Sequence, residues 1–265
     1  MSESGASMSG PRRRIGLAVG LGIAILLLAV ALISTIVAPS GVSDPSVAHW
    51  LGMDRLGHDA LAGGVKGTLT TLLVPAAGLI VAGLFGIPIG LLLARWAGPV
   101  RRRQGSAAGL LLPALVVALL LAAIAGPSEL NVGVAIGLVA LAPLATATRD
   151  ALRIAQSRHY VESARLAGLS RWQALRAHGL HESISRVVRT ASQLMAAGIG
   201  IEAALSFAGL GMQLPGPSLG LVLRDSPGNP GATIAFGLLL SVAIAAFLLI
   251  ARAIEVPDGA IDAAA

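Results

Sequence analysis

The chain contains no cysteine, which excludes disulfides and any chemistry that needs a thiol. Charge is scarce: 12% of residues are Asp, Glu, Lys or Arg, against about 25% in an ordinary globular domain. Aromatic residues make up only 3%, so the apolar character comes from Leu, Ala, Val and Ile. Lysine is almost missing as well, since Lys66 is the one basic side chain that is not arginine. No G-x-x-x-x-G-K-[ST] occurs, and "GGVKGT" (63–68) lacks the required spacing. A P-loop nucleotide site in this chain is therefore excluded.

What is present is hydrophobic residue in long runs. Hydrophobic residues make up 55% of the 265, glycine adds 33 more, and mean hydropathy is +0.82. Several apolar stretches with so little charge indicate a polytopic membrane protein. Small residues interspersed with aliphatic ones suit close helix–helix contact in lipid. The net charge of +6 does not indicate nucleic acid, because the arginines flank the apolar runs.

Arg12, Arg13 and Arg14 precede the apolar run 15–37. A signal peptide has a core of roughly 7–15 residues. This run is longer and is expected to be an uncleaved first span, the Ala29-x-Ala31 pattern being incidental in so alanine-rich a stretch. Five further runs lie at about 68–94, 107–125, 130–148, 190–209 and 232–251. Strand alternation is absent, so the expected fold is an all-α integral membrane protein with six transmembrane helices.

Arginine alternates between the connections. Three lie in the tail, four (Arg95 and Arg101–Arg103) follow the second span, and eight lie in 149–189. The other connections hold Arg55 and Lys66 in 38–67, none in 126–129, and Arg224 in 210–231. By the positive-inside rule both termini and the 149–189 segment are cytoplasmic. The expected division is a cytoplasmic tail 1–14, a first span 15–37, an extracytoplasmic segment 38–67, a membrane domain 68–252 and a cytoplasmic tail 253–265.

Segment 149–189 is too long for a bare connection. From Asp150 to Ala167, Leu152, Ala155, Tyr160 (or His159), Val161 and Ala164 fall near one side, which reads as an amphipathic helix. Gly168 stands where a left-handed residue would end it. Ser170-Arg171-Trp172-Gln173 then forms a capping box for a short second helix, about 171–178, closing near Gly179. The segment reads as a helix–turn–helix elbow projecting from the cytoplasmic face. An amphipathic helix lying on anionic lipid is the alternative from charge alone.

Three ordered passages carry a resemblance. Glu162-Ser163-Ala164, Gly168 and Leu180 resemble the EAA loop of ATP-binding-cassette (ABC) importer permeases. "LGMDRLGHDALAGGVKGT" (51–68) resembles the passage before the second span of peptide and nickel permeases, with Asp54, Gly57 and Asp59 on its pattern. "EAALSFAGLGMQLPGPSLGLVLRDS" (202–226) resembles their "E-A-S-L-S-F-L-G-L-G" passage, with Glu202, Ser206, Phe207, Gly209 and Gly211 in place. The chain departs from the family at Ser163, at His58, at His181 in place of a closing proline, and in its C-terminal stretch "ARAIEVPDGA".

The resemblance implies a permease subunit of a dipeptide, oligopeptide or nickel importer in the cytoplasmic membrane. It implies a heterodimer with a second homologous permease, two ABC ATPase subunits and an extracytoplasmic solute-binding protein. ATP and Mg would be used by the ATPase subunits, with no cofactor on this chain and no catalytic residue. Glu162, Ser163, Ala164, Ala167, Gly168, Leu169, Ser170, Trp172 and Leu180 would form the ATPase-coupling loop. There Gly168 makes the turn, Ala164 and Ala167 keep it slim, and Leu169 and Trp172 anchor it. Glu162 pairs either with an ATPase arginine or with Arg165.

Glu202, an ionisable residue at membrane depth, is a candidate for the pathway or for an interhelical contact, with Ser206, Phe207, Gly209 and Gly211. Asp54 and Asp59 either meet a partner or shape a capped turn. His178 and His181 with Glu182 offer too few ligands for zinc. Pro75, Pro88, Pro113 and Pro143 are expected to kink spans. An intramembrane enzyme would need a base near Ser206, and no predicted span holds a histidine or lysine. A scaffold would explain the spans but not the three motifs. The cargo stays open among peptides, nickel and other small solutes.

Overall fold

The computed structural model describes residues 10–37, 60–96, 111–156, 180–211, 213, 216–226 and 229–254. All regular structure among them is helical: α1 (Gly10–Val37), α2 (Ala60–Trp96), α3 (Leu111–Ala125), α4 (Glu129–Gln156), α5 (Leu180–Phe207), α6 (Leu219–Asp225) and α7 (Pro230–Ala253). The fold is all-α and multi-pass. Ala60–Ala94, Glu129–Ala155 and Pro230–Ala253 are long and apolar enough to cross a membrane. That is three helices rather than the six expected. The apolar stretches described in α1 and α3, Arg14–Val30 and Val116–Ala125, are shorter. Helix α5 is long but carries Gln193 and Glu202 inside its apolar stretch.

Helix α5 can hold polar residues because other helices cover it. It packs against α2, α3, α4, α6 and α7. Ile201 and Leu205 join Val74 of α2, Ala118 of α3 and Val132, Ala135 and Ile136 of α4 in one core cluster. Met195 and Ile199 join a second with Leu27 of α1, Leu72 of α2 and Ala243 of α7. Large side chains elsewhere turn outward, Ile124 being 84% exposed and Ile80 71%. Such an outside suits lipid.

Helices α2 and α4 form the closest pair. Gly78, Ala82, Gly86 and Gly90 recur every fourth residue of α2, and so lie along one side of it. A β-carbon on Gly86 would stand 3.0 Å from the Leu141 carbonyl oxygen, and one on Gly90 would stand 2.7 Å from Thr148 Cβ. Backbones can approach this closely only where side chains are this small. Pro75 and Pro88 lie inside α2 and Pro143 inside α4, and both helices continue through them. Pro113 lies in the first turn of α3, where its missing N–H would have had no helical partner.

Two boundaries differ from the sequence reading. Helix α4 runs to Gln156 without a break near residue 149, so the amphipathic stretch begins as a continuation of the span. Its buried side is Ala151, Ile154 and Ala155, while Leu152 is only half-buried. Ser183 Oγ on α5 donates to the Ala151 carbonyl at 3.4 Å. Helix α5 starts at Leu180, ten residues before its apolar run, and takes in His181 and Glu182. Helix α6 was not expected: 210–231 reads as a connection in the sequence.

Candidate functional site

Ser218 starts the construction. Its backbone is extended, and its hydroxyl accepts the Leu221 N–H at 3.1 Å, capping α6. One residue on, the Leu219 N–H donates to Thr71 Oγ1 of α2, also at 3.1 Å. Ser218, Leu219 and Thr71 are all fully buried. A β-carbon on Gly67 of α2 would stand 2.7 Å from the Ser218 carbonyl carbon, and one on Gly220 would stand 2.8 Å from that of Ala203. The start of α6 is therefore laid backbone-to-backbone on α2 and α5, with Phe236 of α7 closing the same cluster.

Glu202 lies beside this contact, 1% exposed. Ser206, one turn further along α5, donates its hydroxyl to Glu202 Oε1 at 2.7 Å. Thr71 and Ser218 lie nearby, and Oε2 forms no hydrogen bond. No basic side chain faces this carboxyl group among the described residues. Ser206 thus bonds Glu202 within α5, while Thr71 Oγ1 joins α2 to the start of α6 through the Leu219 N–H. Gly211 packs against Ser206.

The turn after α5 follows from its glycine. Leu210 N–H donates to the Leu205 carbonyl at 2.8 Å and Gly209 N–H to that of Ser206 at 3.0 Å. Gly209 has φ +81°, so this is the left-handed helix stop that favours glycine. Phe207 is 54% exposed and is not part of the buried cluster.

At the other end of the bundle, Asp150 on α4 sits among Arg149, Arg153 and Arg186, the last from α5. Arg149 Nε approaches Asp150 Oδ1 at 3.9 Å. This charged group lies where α4 and α5 lead into residues 157–179.

Of the residues singled out from sequence, Glu202, Ser206 and Gly211 come together. Glu162, Ser163, Ala164, Ala167, Gly168, Leu169, Ser170 and Trp172 lie outside the described residues, as do Asp54, Gly57 and Asp59. Leu180 opens α5. Sequence reasoning passed over Thr71 and Ser218. Ser218 stands directly before an apolar run, which is a capping signal, whereas nothing near Thr71 pointed to a residue 148 positions away.

A family model described as the binding-protein-dependent transport system inner membrane component matches residues 86–256. The glutathione transport system permease protein GsiD of Pectobacterium atrosepticum is 30% identical over 264 residues, covering 95% of this chain and 87% of that protein. The di/tripeptide transport system permease protein DppC of Pseudomonas aeruginosa is 31% identical over 191 residues, 71% of this chain and 63% of that protein. The probable D,D-dipeptide transport system permease protein DdpC of Escherichia coli is 30% identical over 187 residues, 68% and 61% respectively.

Proposed function

Because this chain belongs to the family of binding-protein-dependent transport system inner membrane components, we propose that it passes peptides or peptide-like solutes through a six-span bundle. As a member of that family it is a transmembrane permease subunit of an ABC importer in the cytoplasmic membrane, a transport subunit rather than an enzyme. The observation that carries the cargo assignment is the likeness over 95% of the chain to a permease named for glutathione. The shorter likenesses to proteins named for di- and tripeptides agree with it.

The six spans are α1 to α5 and α7, with both termini and 149–189 in the cytoplasm. The arginine alternation supports this orientation, and it puts α6 on the extracytoplasmic side. The partners are a second permease, two ATPase subunits and a solute-binding protein. The elbow around Gly168 and Trp172 seats in an ATPase groove, and closure of the ATPase pair moves it as a rigid body. Helices α4 and α5 extend beyond their apolar stretches and flank this elbow, so they are the levers that carry its motion into the bundle.

The test is capture and uptake. The unaltered chain, coexpressed with the ATPase subunits, retains them through purification. Gly168→Arg with Trp172→Ala loses them, because the bulk and the lost anchor both fall on the groove contact. Vesicles holding the full importer accumulate labelled dipeptide in an ATP-dependent manner. Failure of the unaltered chain to capture an ATPase overturns the elbow and its partner, and uptake of nickel without peptide overturns the cargo.

A further inference from the structure

Helix α5 is covered on all but one side along its apolar stretch. From Ser192 to Phe207 its residues are buried except Gln193, Ala197, Gly200, Ala204 and Phe207, which recur at intervals of four and three. That spacing places them along a single face. The outward sides of α2 and α4 are different, for there Ile80, Leu84, Leu130 and Leu138 are exposed. Before Phe207 the open face of α5 offers no large apolar side chain, so it is poorly made for lipid. Toward Leu180 the same face continues into Arg189, one turn before Gln193 and half-buried like it. Among the described residues neither the Arg189 nor the Gln193 side chain makes a hydrogen bond or an ion pair within the chain. We infer that Arg189 and Gln193 form a contact site for the backbone of the transported peptide, the guanidinium taking the C-terminal carboxylate and the carboxamide the adjoining peptide bond.

Packing sets the depth of this site. Ser183 Oγ meets the Ala151 carbonyl just past the apolar run 130–148 of α4. Gln193 follows ten residues later, about 15 Å along the helix and half the thickness of a bilayer core of ~30 Å. Leu194 agrees, since it packs with Ala82 of α2 and Ala140 of α4, near the middle of the runs 68–94 and 130–148. At that depth a carboxamide with its donors and acceptor unspent is costly against hydrocarbon, and it calls for a polar partner. Arg189 stands about 6 Å nearer the Leu180 end, and its guanidinium fork matches a carboxylate with two parallel hydrogen bonds. A carboxamide presents donor and acceptor together, as a peptide bond does. Every linear peptide carries a terminal carboxylate and peptide bonds whatever its side chains, so the pair suits peptides as a class. Ala197, Gly200 and Ala204 keep the face shallow beyond the pair, which leaves room for the side chains of the solute.

The inference rests on the proposed peptide cargo, and the experiment separates the two. ATP-dependent uptake of a labelled dipeptide and of its C-terminal amide is compared in vesicles holding the full importer. The ratio of the two is referred to that of the unaltered chain, which cancels the preference of the solute-binding protein. Arg189→Gln is expected to lower dipeptide uptake about tenfold, the weight of a charge-assisted hydrogen bond, and uptake of the amide by less than about twofold. Gln193→Leu is expected to lower both about fivefold, because both solutes carry the peptide bond. An unchanged ratio in Arg189→Gln, or full uptake in Gln193→Leu, overturns the inference. If these variants do not assemble, Ala197→Cys is read instead, in a chain that holds no other thiol. It is expected to react with sulfonatoethyl methanethiosulfonate in the assembled importer, and saturating dipeptide is expected to slow that reaction about threefold or more. No slowing overturns the inference, and so does no reaction, which would place the face against lipid or the second permease. Failure of the unaltered importer to take up the dipeptide overturns the proposed cargo and this inference with it.

Discussion

Gly137 of α4 lies so close to Gly78 of α2 that a β-carbon on Gly137 would stand 3.0 Å from the Gly78 carbonyl oxygen. In the reverse direction a β-carbon on Gly78 would stand 2.5 Å from the Gly133 carbonyl oxygen. The two backbones meet here with nothing between them, so α2 and α4 act as one unit against which α5 is set.

Gly78→Val is therefore expected to lower stability by about 1–3 kcal/mol, the usual cost of overpacking a closed contact. Gly22 of α1 is the control, because a β-carbon there would meet nothing within 4 Å. Gly22→Ala should be neutral or stabilising by up to about 1 kcal/mol from helix propensity alone. Thermal unfolding of the detergent-solubilised protein measures both.

A different physics operates at Gly126, between α3 and α4, which has φ +83° and open space around it. Its carbonyl accepts from Asn131 Nδ2 at 2.6 Å. Gly126→Ala is expected to cost about 1–2 kcal/mol through backbone strain, with no clash involved. Gly126→Asn should cost less, since asparagine visits the left-handed region more readily. Equal losses for the two variants would show that the strain account is wrong.

Orientation is open to direct measurement. Glu129→Cys at the exposed start of α4 should react with an impermeant maleimide in intact cells. Arg252→Cys at the exposed end of α7 should react only after permeabilisation. The opposite pattern would invert the topology.

Gly220→Val pushes a side chain into the Ala203 backbone and so lifts α6 from α5. Overpacking by about 1–3 kcal/mol corresponds to roughly a five- to hundredfold shift away from the docked state. Peptide uptake should fall by a comparable factor while ATPase capture persists, because the proposed elbow precedes the opposite end of α5 in the sequence. Loss of capture together with uptake would mean that the whole bundle had failed.

The apolar runs marked where α1, α2, α3, α4, α5 and α7 lie, because such runs are visible in composition alone, and three of these helices are long and apolar enough to cross a membrane. Their ends were less legible. Helix α2 starts at Ala60 although "GGVKG" (63–67) is poor in apolar residues. Gly64 and Gly67 serve there as contact points for Phe236 and for the start of α6, and that need comes from other helices. Likewise α5 carries more polarity than a lipid-facing helix, because five neighbours cover it. Glu202 and Ser206 were marked together in the sequence, but Thr71, which holds the start of α6, was not.

By itself the sequence determined membrane residence, helical class and the unequal distribution of arginine among the connections. Each of these is a property of a contiguous stretch: run length, charge count, or residue spacing along one helix. Only the tertiary structure decided which glycines are contact points, how α6 is seated and what surrounds Glu202. Those depend on groups far apart in the chain, such as Thr71 and Leu219, whose hydrogen bond exists only once α2, α5 and α6 have been packed together.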